Sequence, residues 1–392
     1  MKIKLPILLL PLLFSFLSYS QIKLSDKATI SVVTCGPGTE LYSTFGHSAF
    51  RVYDAENKLD KIYNYGTFDF NAPNFYLNFA KGKLTYLLST TRYGYFLQVY
   101  NYENRWVKTQ ELDLNSDEVQ DVFNFLENNA KPENRAYQYD FFYDNCSTKI
   151  EAVIKAVLKD KVVFNNNHIT THKSHRDLIA DYTKNQKWGK FGIDLALGSV
   201  IDKEATKDDY KFLPDYIFAA FENATIKTDS GVKPMVKETK TIINPKKELL
   251  IKPFSFISTP FFVLLLISLI VVYFTLKNDK KSYRSKWLDF LIYFTTGLIG
   301  VAVLLLWFAT SHTATYKNLN FLWAFAPNLV VAFYMLKAKI PNWIYFYNLL
   351  LIVLMVILAI VWLFKIQVFN VAMIPLLIAL VIRYLFLLKV HK

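Results

Sequence analysis

The chain has 392 residues, 53% of them apolar, and a formal charge of +13. That length allows a soluble domain of about 230 residues around one core, after which long apolar runs dominate from Pro253 onward. The charge does not imply nucleic-acid binding. Lys and Arg are scattered, with no basic helix or RNA-binding motif, and many flank the apolar runs, where positive charge sets topology and meets anionic headgroups.

Residues 1–20 read as a signal peptide: Lys2 and Lys4, an apolar Leu5–Leu17, then Ser18 and Ser20 at −3 and −1 of a cleavage site before Gln21. The rival reading is an uncleaved anchor. The soluble domain, 21–221, opens with strand-like runs at Thr29–Thr34, Phe45–Tyr53 and Lys61–Tyr65. The turn Cys35-Gly36-Pro37-Gly38 separates the first two. Further strands are expected at Leu84–Ser89, Tyr95–Tyr100 and Trp106–Leu112.

Two helices are better marked. Asn115 with Glu118 at N3 forms a capping box before Val119, Val122, Phe123 and Leu126. A second helix begins near Cys146, after the capping residues Asp144 and Asn145, with Ile150, Val153, Ile154 and Val157 on one face. Strands plus helices predict an α+β domain. The aromatic and Gly-containing run 188–198 reads as a loop packed on the domain or on a membrane, and 222–253 as an extended linker.

Five stretches are long enough to cross a bilayer, at 254–276, 287–309, 319–336, 342–364 and 369–388, the third being the shortest. They predict an all-α five-helix transmembrane domain over 254–392. Lys277, Lys280, Lys281, Arg284 and Lys286, then Lys337 and Lys339, then Lys389 and Lys392 fall on one side. This predicts an inner-membrane, multi-pass protein with the soluble domain in the periplasm and the C-terminus in the cytoplasm.

Cys146 is the leading nucleophile candidate. A thiol at a helix start feels the positive end of the dipole, which favours the thiolate. His47, in Phe45-Gly46-His47-Ser48-Ala49-Phe50, is the candidate base. Asn64, Tyr63 and Asp54 are the candidates to orient it, and the residues alone do not choose among them. The competing reading is a Cys35–Cys146 disulfide, which would disable the thiol. His168, His172 and His175 have a spacing that could bind zinc, but their polar setting favours a loop, and no metal or cofactor is expected.

A Gly-His strand followed about one hundred residues later by an Asn-Cys helix start resembles the circularly permuted papain-like enzymes, including lecithin:retinol acyltransferase. Several stretches resemble the Lnb family of bacterial lipoprotein N-acyltransferases more closely: Thr34-Cys35-Gly36-Pro37-Gly38, Tyr42–Ala49, Tyr63–Phe70, Asp144-Asn145-Cys146-Ser147-Thr148 and Gly192–Gly198. So does the loop His312-Thr313-Ala314-Thr315 with Asn318, Asn320, Trp323 and Pro327. The resemblance covers nearly the whole mature chain. It implies a phospholipid acyl donor, a Cys146 thioester and transfer to the α-amino group of a diacylated lipoprotein. In that chemistry His47 would move the protons, helix-start amides around Asn145, Cys146 and Ser147 would form the oxyanion hole, and His312, Tyr63 and Asp54 would lie at the site rim. The rivals are a periplasmic thiol peptidase or amidase, and a non-enzymatic membrane sensor bridged by Cys35 and Cys146.

Overall fold

The computed structural model describes residues 22–245, 255–281 and 283–390. The expected signal peptide lies outside them, as does the stretch 246–254 where the expected linker meets the first span.

The sheet-rich domain begins with β1 (Thr29–Cys35), β2 (His47–Asp54) and β3 (Leu59–Thr67). There follow α1 (Phe75–Ala80), β4 (Thr85–Arg92), α2 (Tyr93–Tyr102), β5 (Val107–Leu112), α3 (Ser116–Ala130), β6 (Ala136–Gln138) and α4 (Cys146–Leu158). Next come β7 (Val162–Val163), α5 (His175–Tyr182), α6 (Lys187–Ala196), α7 (Pro214–Glu222), β8 (Thr225–Thr228), β9 (Gly231–Pro234) and β10 (Val236–Ile243). The main sheet has the order β10-β5-β1-β2-β3-β4-β6, and its named neighbours pair antiparallel. β7, β8 and β9 form a second, small sheet.

One sheet face is covered by α3 and α4. Phe50, Tyr63, Val122, Leu126, Ile150 and Ile154 form its core, each such side chain contributing roughly 1.5–3 kcal/mol of transfer free energy. The Asn115 capping box is formed as expected. On the opposite face α2 packs Tyr93, Phe96 and Tyr100 over Val33, Cys35, Ala49 and Ile62.

Three expectations in this domain are corrected. Tyr95–Tyr100 is a helix, not a strand, because Phe96 and Tyr100, four apart, both bury against the sheet. The 222–253 linker is replaced over 225–243 by β8, β9 and β10, and β10 pairs with β5 at the edge of the main sheet. The run 188–198 is mostly α6, whose Phe191 and Leu195 pack against the membrane-helix core.

The C-terminal region holds α8 (Pro260–Lys280), α9 (Lys286–Phe308), α10 (Asn328–Met335), α11 (Trp343–Leu363) and α12 (Ile374–Val390). Four helices among the described residues are long and apolar enough to cross a membrane. The third expected span is broken. A 3-10 turn at Leu319–Leu322 precedes α10, whose eight residues cover about 12 Å of a roughly 30 Å hydrocarbon core. Asn318, Asn320 and Asn328 interrupt the apolar run, and all three are buried with hydrogen-bond partners. Gly300 lets this irregular backbone approach α9, since a Cβ there would lie 1.9 Å from the Ala324 carbonyl oxygen.

Polar contacts join the two regions. Asn318 Nδ2 donates to the Leu195 and Ala196 carbonyls at 2.9 and 3.0 Å, and Asn370 Nδ2 to Asp194 Oδ2 at 2.7 Å. The Val368 amide donates to Asp202 Oδ1 at 3.0 Å. At the other end of the helices, Arg284 reaches the Met335 and Lys337 carbonyls, Arg383 pairs with Asp289, and Lys389 pairs with Asp279.

Gly300→Ala should lower the thermal unfolding midpoint of the detergent-solubilised protein, at a cost of about 1–3 kcal/mol from overpacking. Gly192→Ala, where a Cβ meets nothing within 4 Å, should leave the midpoint unchanged or slightly raised. Equal midpoints in both variants would show that α9 does not need the close approach.

Candidate active site

Strand parity selects the site. The β2–β3 register pairs Phe50 with Tyr63, and both are buried in the core. Side chains alternate along a strand, so His47 and Asn64 share the other face. His47 starts β2 directly after Gly46, whose φ of +84 a side chain would strain and whose Cβ would sit 2.8 Å from the Cys35 carbonyl oxygen. His47 Nε2 lies 2.5 Å from Asn64 Oδ1. A carbonyl oxygen only accepts, so Nε2 carries the proton and Nδ1 is left for the Cys146 thiol, with which His47 is hydrogen-bonded.

Cys146 opens α4, and Asn145 caps that helix. The Asn145 Oδ1 accepts from the Ser147 and Thr148 amides at 2.8 and 3.0 Å, and its Nδ2 donates to the Phe141 and Phe212 carbonyls, each at 2.7 Å. This corrects the expected oxyanion set. The Ser147 amide is already committed to the cap, and Asn145 is a positioning residue. The Cys146 sulfur accepts hydrogen bonds from the Ser48 amide and from the Ser147 hydroxyl.

Burial works against a Cys146 thiolate, but the facing His47 charge and hydrogen bond, with the Ser48 and Ser147 donors, outweigh it and bring the thiol below its ordinary value. Burial likewise works against the His47 cation. The Cys146 charge and the hydrogen bonds that the ring donates to Cys146 and Asn64 overcome it and raise the imidazole, while Arg105 opposes them. Both shifts move the pair toward thiolate–imidazolium. Cys35 is the reverse case: burial pushes its thiol far up, which disfavours the thiolate. Both cysteines are free, which removes the Cys35–Cys146 disulfide and the bridged sensor built on it.

Cys146, His47 and Asn64 line a largely apolar cavity of about 790 Å³. Its walls include Phe68, Phe79, Leu84, Tyr139 and Phe141 from the sheet domain, with Ile193 and Leu197 from the α6 region. Ser311, His312, Thr313 and Ala314, just beyond α9, form one side of it. His312 Nε2 lies 3.1 Å from the Phe79 carbonyl oxygen. Thr313 Oγ1 donates to Asp140 Oδ2 at 2.6 Å.

Two expected rim residues are elsewhere. Tyr63 points into the core and donates its hydroxyl to Glu127. Asp54 lies seven positions along β2 from His47, about 23 Å away at the rise of a strand. It binds Ser25 and Asn57, which hold its carboxyl down at about 2 despite burial. The three histidines of the candidate zinc site also separate: His168 meets the Asn165 carbonyl, His172 meets Glu204, and His175 packs among Phe142, Tyr143 and Phe212. Among the described residues no three His, Cys, Asp or Glu side chains are grouped to hold a metal.

Sequence reasoning missed the cavity's other polar corner, where Arg105 bonds the Gly36 carbonyl at 2.7 Å and Glu103 at 2.8 Å. It also missed Gly66, at φ +88, where an added Cβ would lie 3.6 Å from that of Cys146. The glycine following Tyr63-Asn64-Tyr65 was the available signal for the second.

The fold and site define a thiol-bearing sheet domain seated on membrane helices. Residues 18–179 match the Lnb N-terminal periplasmic domain and residues 252–392 the Lnb transmembrane domain, and the chain belongs to the Lnb family. It is thus a membrane-associated periplasmic protein of the inner membrane. No curated protein and no solved structure matches it.

Alkylation should test the pair. A depressed thiol pKa means that Cys146 reacts with iodoacetamide at a lower pH than an ordinary thiol. His47→Ala removes the facing cation and leaves the burial, so the pH midpoint of alkylation should move up and the rate at neutral pH should fall. Asn64→Ala should shift the midpoint in the same direction by less, because it weakens only the imidazolium. An unmoved midpoint in His47→Ala would break the proposed pairing.

Proposed function

We propose that this protein is a lipoprotein N-acyltransferase with Cys146 as nucleophile and His47 as proton carrier. The observation that carries the reading is the site's position: a thiol–imidazole pair opens into an apolar cavity bounded partly by the loop that follows a membrane helix. Water-soluble peptides have no need of that setting, whereas lipid chains do.

The Cys146 thiolate attacks the ester carbonyl carbon of a phospholipid. The carbonyl π electrons move to oxygen, and the Cys146 amide, one of the helix's first donors, faces the developing oxyanion. The intermediate collapses with cleavage of the ester C–O bond, the lysophospholipid alkoxide takes the proton from His47, and an acyl thioester remains on Cys146. The α-amino group of a diacylglyceryl-cysteine then attacks the thioester in its neutral form. An α-amino pKa near 8 leaves part of it unprotonated at neutral pH. The C–S bond breaks, His47 takes the amine proton, and the thiolate–imidazolium pair is restored. Asn64 holds the ring through both halves. Exclusion of water by the apolar walls protects the thioester from hydrolysis.

We further propose that the 318–337 segment crosses the membrane and that the C-terminus is cytoplasmic. In support, Asn318 bonds the sheet-domain end of the bundle, while the Met335 and Lys337 carbonyls bond Arg284 at the other, and Lys389 meets Asp279 there too.

Mass spectrometry of lipoprotein N-terminal peptides, from cells with one copy of the gene, provides the test. Wild type should give triacylated peptides, and Cys146→Ser or His47→Ala diacylated ones at unchanged protein abundance. Cys35→Ser should keep activity. Equal triacylation in wild type and Cys146→Ser would remove Cys146 as nucleophile.

A further inference from the structure

Beside the cavity, the segment from Phe68 to Lys83 exposes more apolar surface than a water-facing segment would. Phe75 is buried and anchors α1, but Tyr76 is 79% exposed and Leu77 51%, and Phe70 and Phe79 are exposed as well. The exposed rings are held in place. Phe70 packs on Phe68 at 4.8 Å and on Phe75 at 5.0 Å, and Phe79 stacks parallel to Phe75 at 6.5 Å. The patch is therefore preformed rather than a frayed loop.

Its height is set by the membrane region. The Ser311 amide donates to the Lys81 carbonyl at 2.8 Å, and His312 sits against both the Phe79 carbonyl and Gly82. Ser311 is three residues beyond Phe308, the last residue of α9, which is itself exposed. α1 thus lies at the level where α9 leaves the bilayer. Lys81 and Lys83, both exposed, follow it, as cations do at the level of anionic headgroups. Phe68, Phe79, Gly82 and Leu84 of the same segment also line the cavity that holds Cys146.

We propose that α1 is a lip immersed in the outer leaflet of the inner membrane, and that lipid chains pass between this lip and the 311–314 loop to reach Cys146. Exposed aromatic and aliphatic side chains at the interface are the chemistry of a monotopic membrane contact. The bond between Ser311 and Lys81 ties the patch to the end of α9, where Phe308 is exposed. Immersion of the lip stands on these contacts alone. What passes over it rests on the acyl-transfer reading.

The test uses the full-length chain in nanodiscs of phosphatidylethanolamine and phosphatidylglycerol. An NBD fluorophore is placed on Leu77→Cys in a Cys146→Ser background, after a check that the background itself takes up no label. The reference site is Glu56→Cys, in the β2–β3 turn at the strand end away from His47. NBD at 77 should emit to the blue of NBD at 56, and should lose most of its emission to lipids carrying a nitroxide high on the acyl chain, while 56 is unaffected. Solvent-like emission at 77 would overturn the proposal. So would blue-shifted emission without lipid quenching, which would mean that protein, such as a second copy of the chain, covers the patch. No turnover enters this readout, so it stands or falls separately from the lipoprotein assay. For the passage of lipid, Leu77→Asp with Cys146 intact should lower lipoprotein triacylation while iodoacetamide alkylates Cys146 at the wild-type rate. Unchanged triacylation would overturn the role of the lip as a lipid path.

Discussion

The site depends on how the sheet domain is fastened to the membrane region, and a buried guanidinium is central to that fastening. Arg176 on α5 is held by Asp202 through Nε at 2.8 Å and by Asp194 through Nη1 at 3.2 Å, and it also reaches the Leu197 and Gly198 carbonyls. The same two carboxylates face the membrane region, Asp194 accepting from Asn370 and Asp202 from the Val368 amide. Lys190 adds a second cation to Asp194. A buried ion pair is a poor source of net stability, but removing one partner costs about 3–5 kcal/mol because a charge is left stranded. Here that penalty fixes geometry: α5, α6 and the α11–α12 connection share one arrangement in which all the charges are met.

The thiol pair uses burial differently. In water a Cys–His pair gains little from its mutual charge. In a cavity with apolar walls each charge is costly by itself, and the two are tolerable only together. Every added hydrogen bond therefore counts. The Ser48 amide and the Ser147 hydroxyl on sulfur, with Asn64 on the imidazole, tip the balance toward the ion pair. Cys35, directly across from His47 in the β1–β2 register, shows what burial does without such a partner set. Two thiols in neighbouring positions thus differ in reactivity because one faces a proton acceptor and the other a tyrosine hydroxyl.

Local signals were the legible ones. Asn115 with Glu118, and Asn145 before Cys146, are side chains that satisfy orphan amides a few residues away, so the sequence carries their cause in full. His47, Asn64 and Cys146 were readable as chemistry. The choice of Asn64 over Tyr63 needed the β2–β3 register, which sets face by parity and is decided by pairing rather than by composition. The strand reading of α2 comes from Tyr95, Phe96, Val99 and Tyr100, aromatic and β-branched types that strands favour. Only the packing of Phe96 and Tyr100 on the sheet shows which period matters. β10 was misread because its side chains are mostly exposed and polar. It is a strand through backbone pairing with β5, which leaves little pattern in the residues. The cavity's far side could not be inferred at all, since Phe79, Ile193 and His312 meet only in the folded chain.

The broken third segment of the bundle shows why one anchoring helix would not serve. Irregular backbone at membrane depth is tolerated only where protein rather than lipid surrounds it. Asn328 Nδ2 on Thr296, Tyr347 on Asn328, and the close approaches at Gly297 and Gly300 supply that surrounding. The break lets the chain stay at the sheet-domain surface from Ser311 to Leu322 instead of turning directly into another helix. There it is tied on both sides: Thr315 Oγ1 donates to the Leu306 carbonyl at 2.7 Å, and the Gly198 amide to the Ala314 carbonyl at 2.9 Å. The 311–314 loop, held by these ties, bounds the cavity beside Cys146. The membrane region therefore does more than hold the sheet domain at a surface. It forms part of the wall of the site, and that wall requires several packed helices to carry a loop in one place.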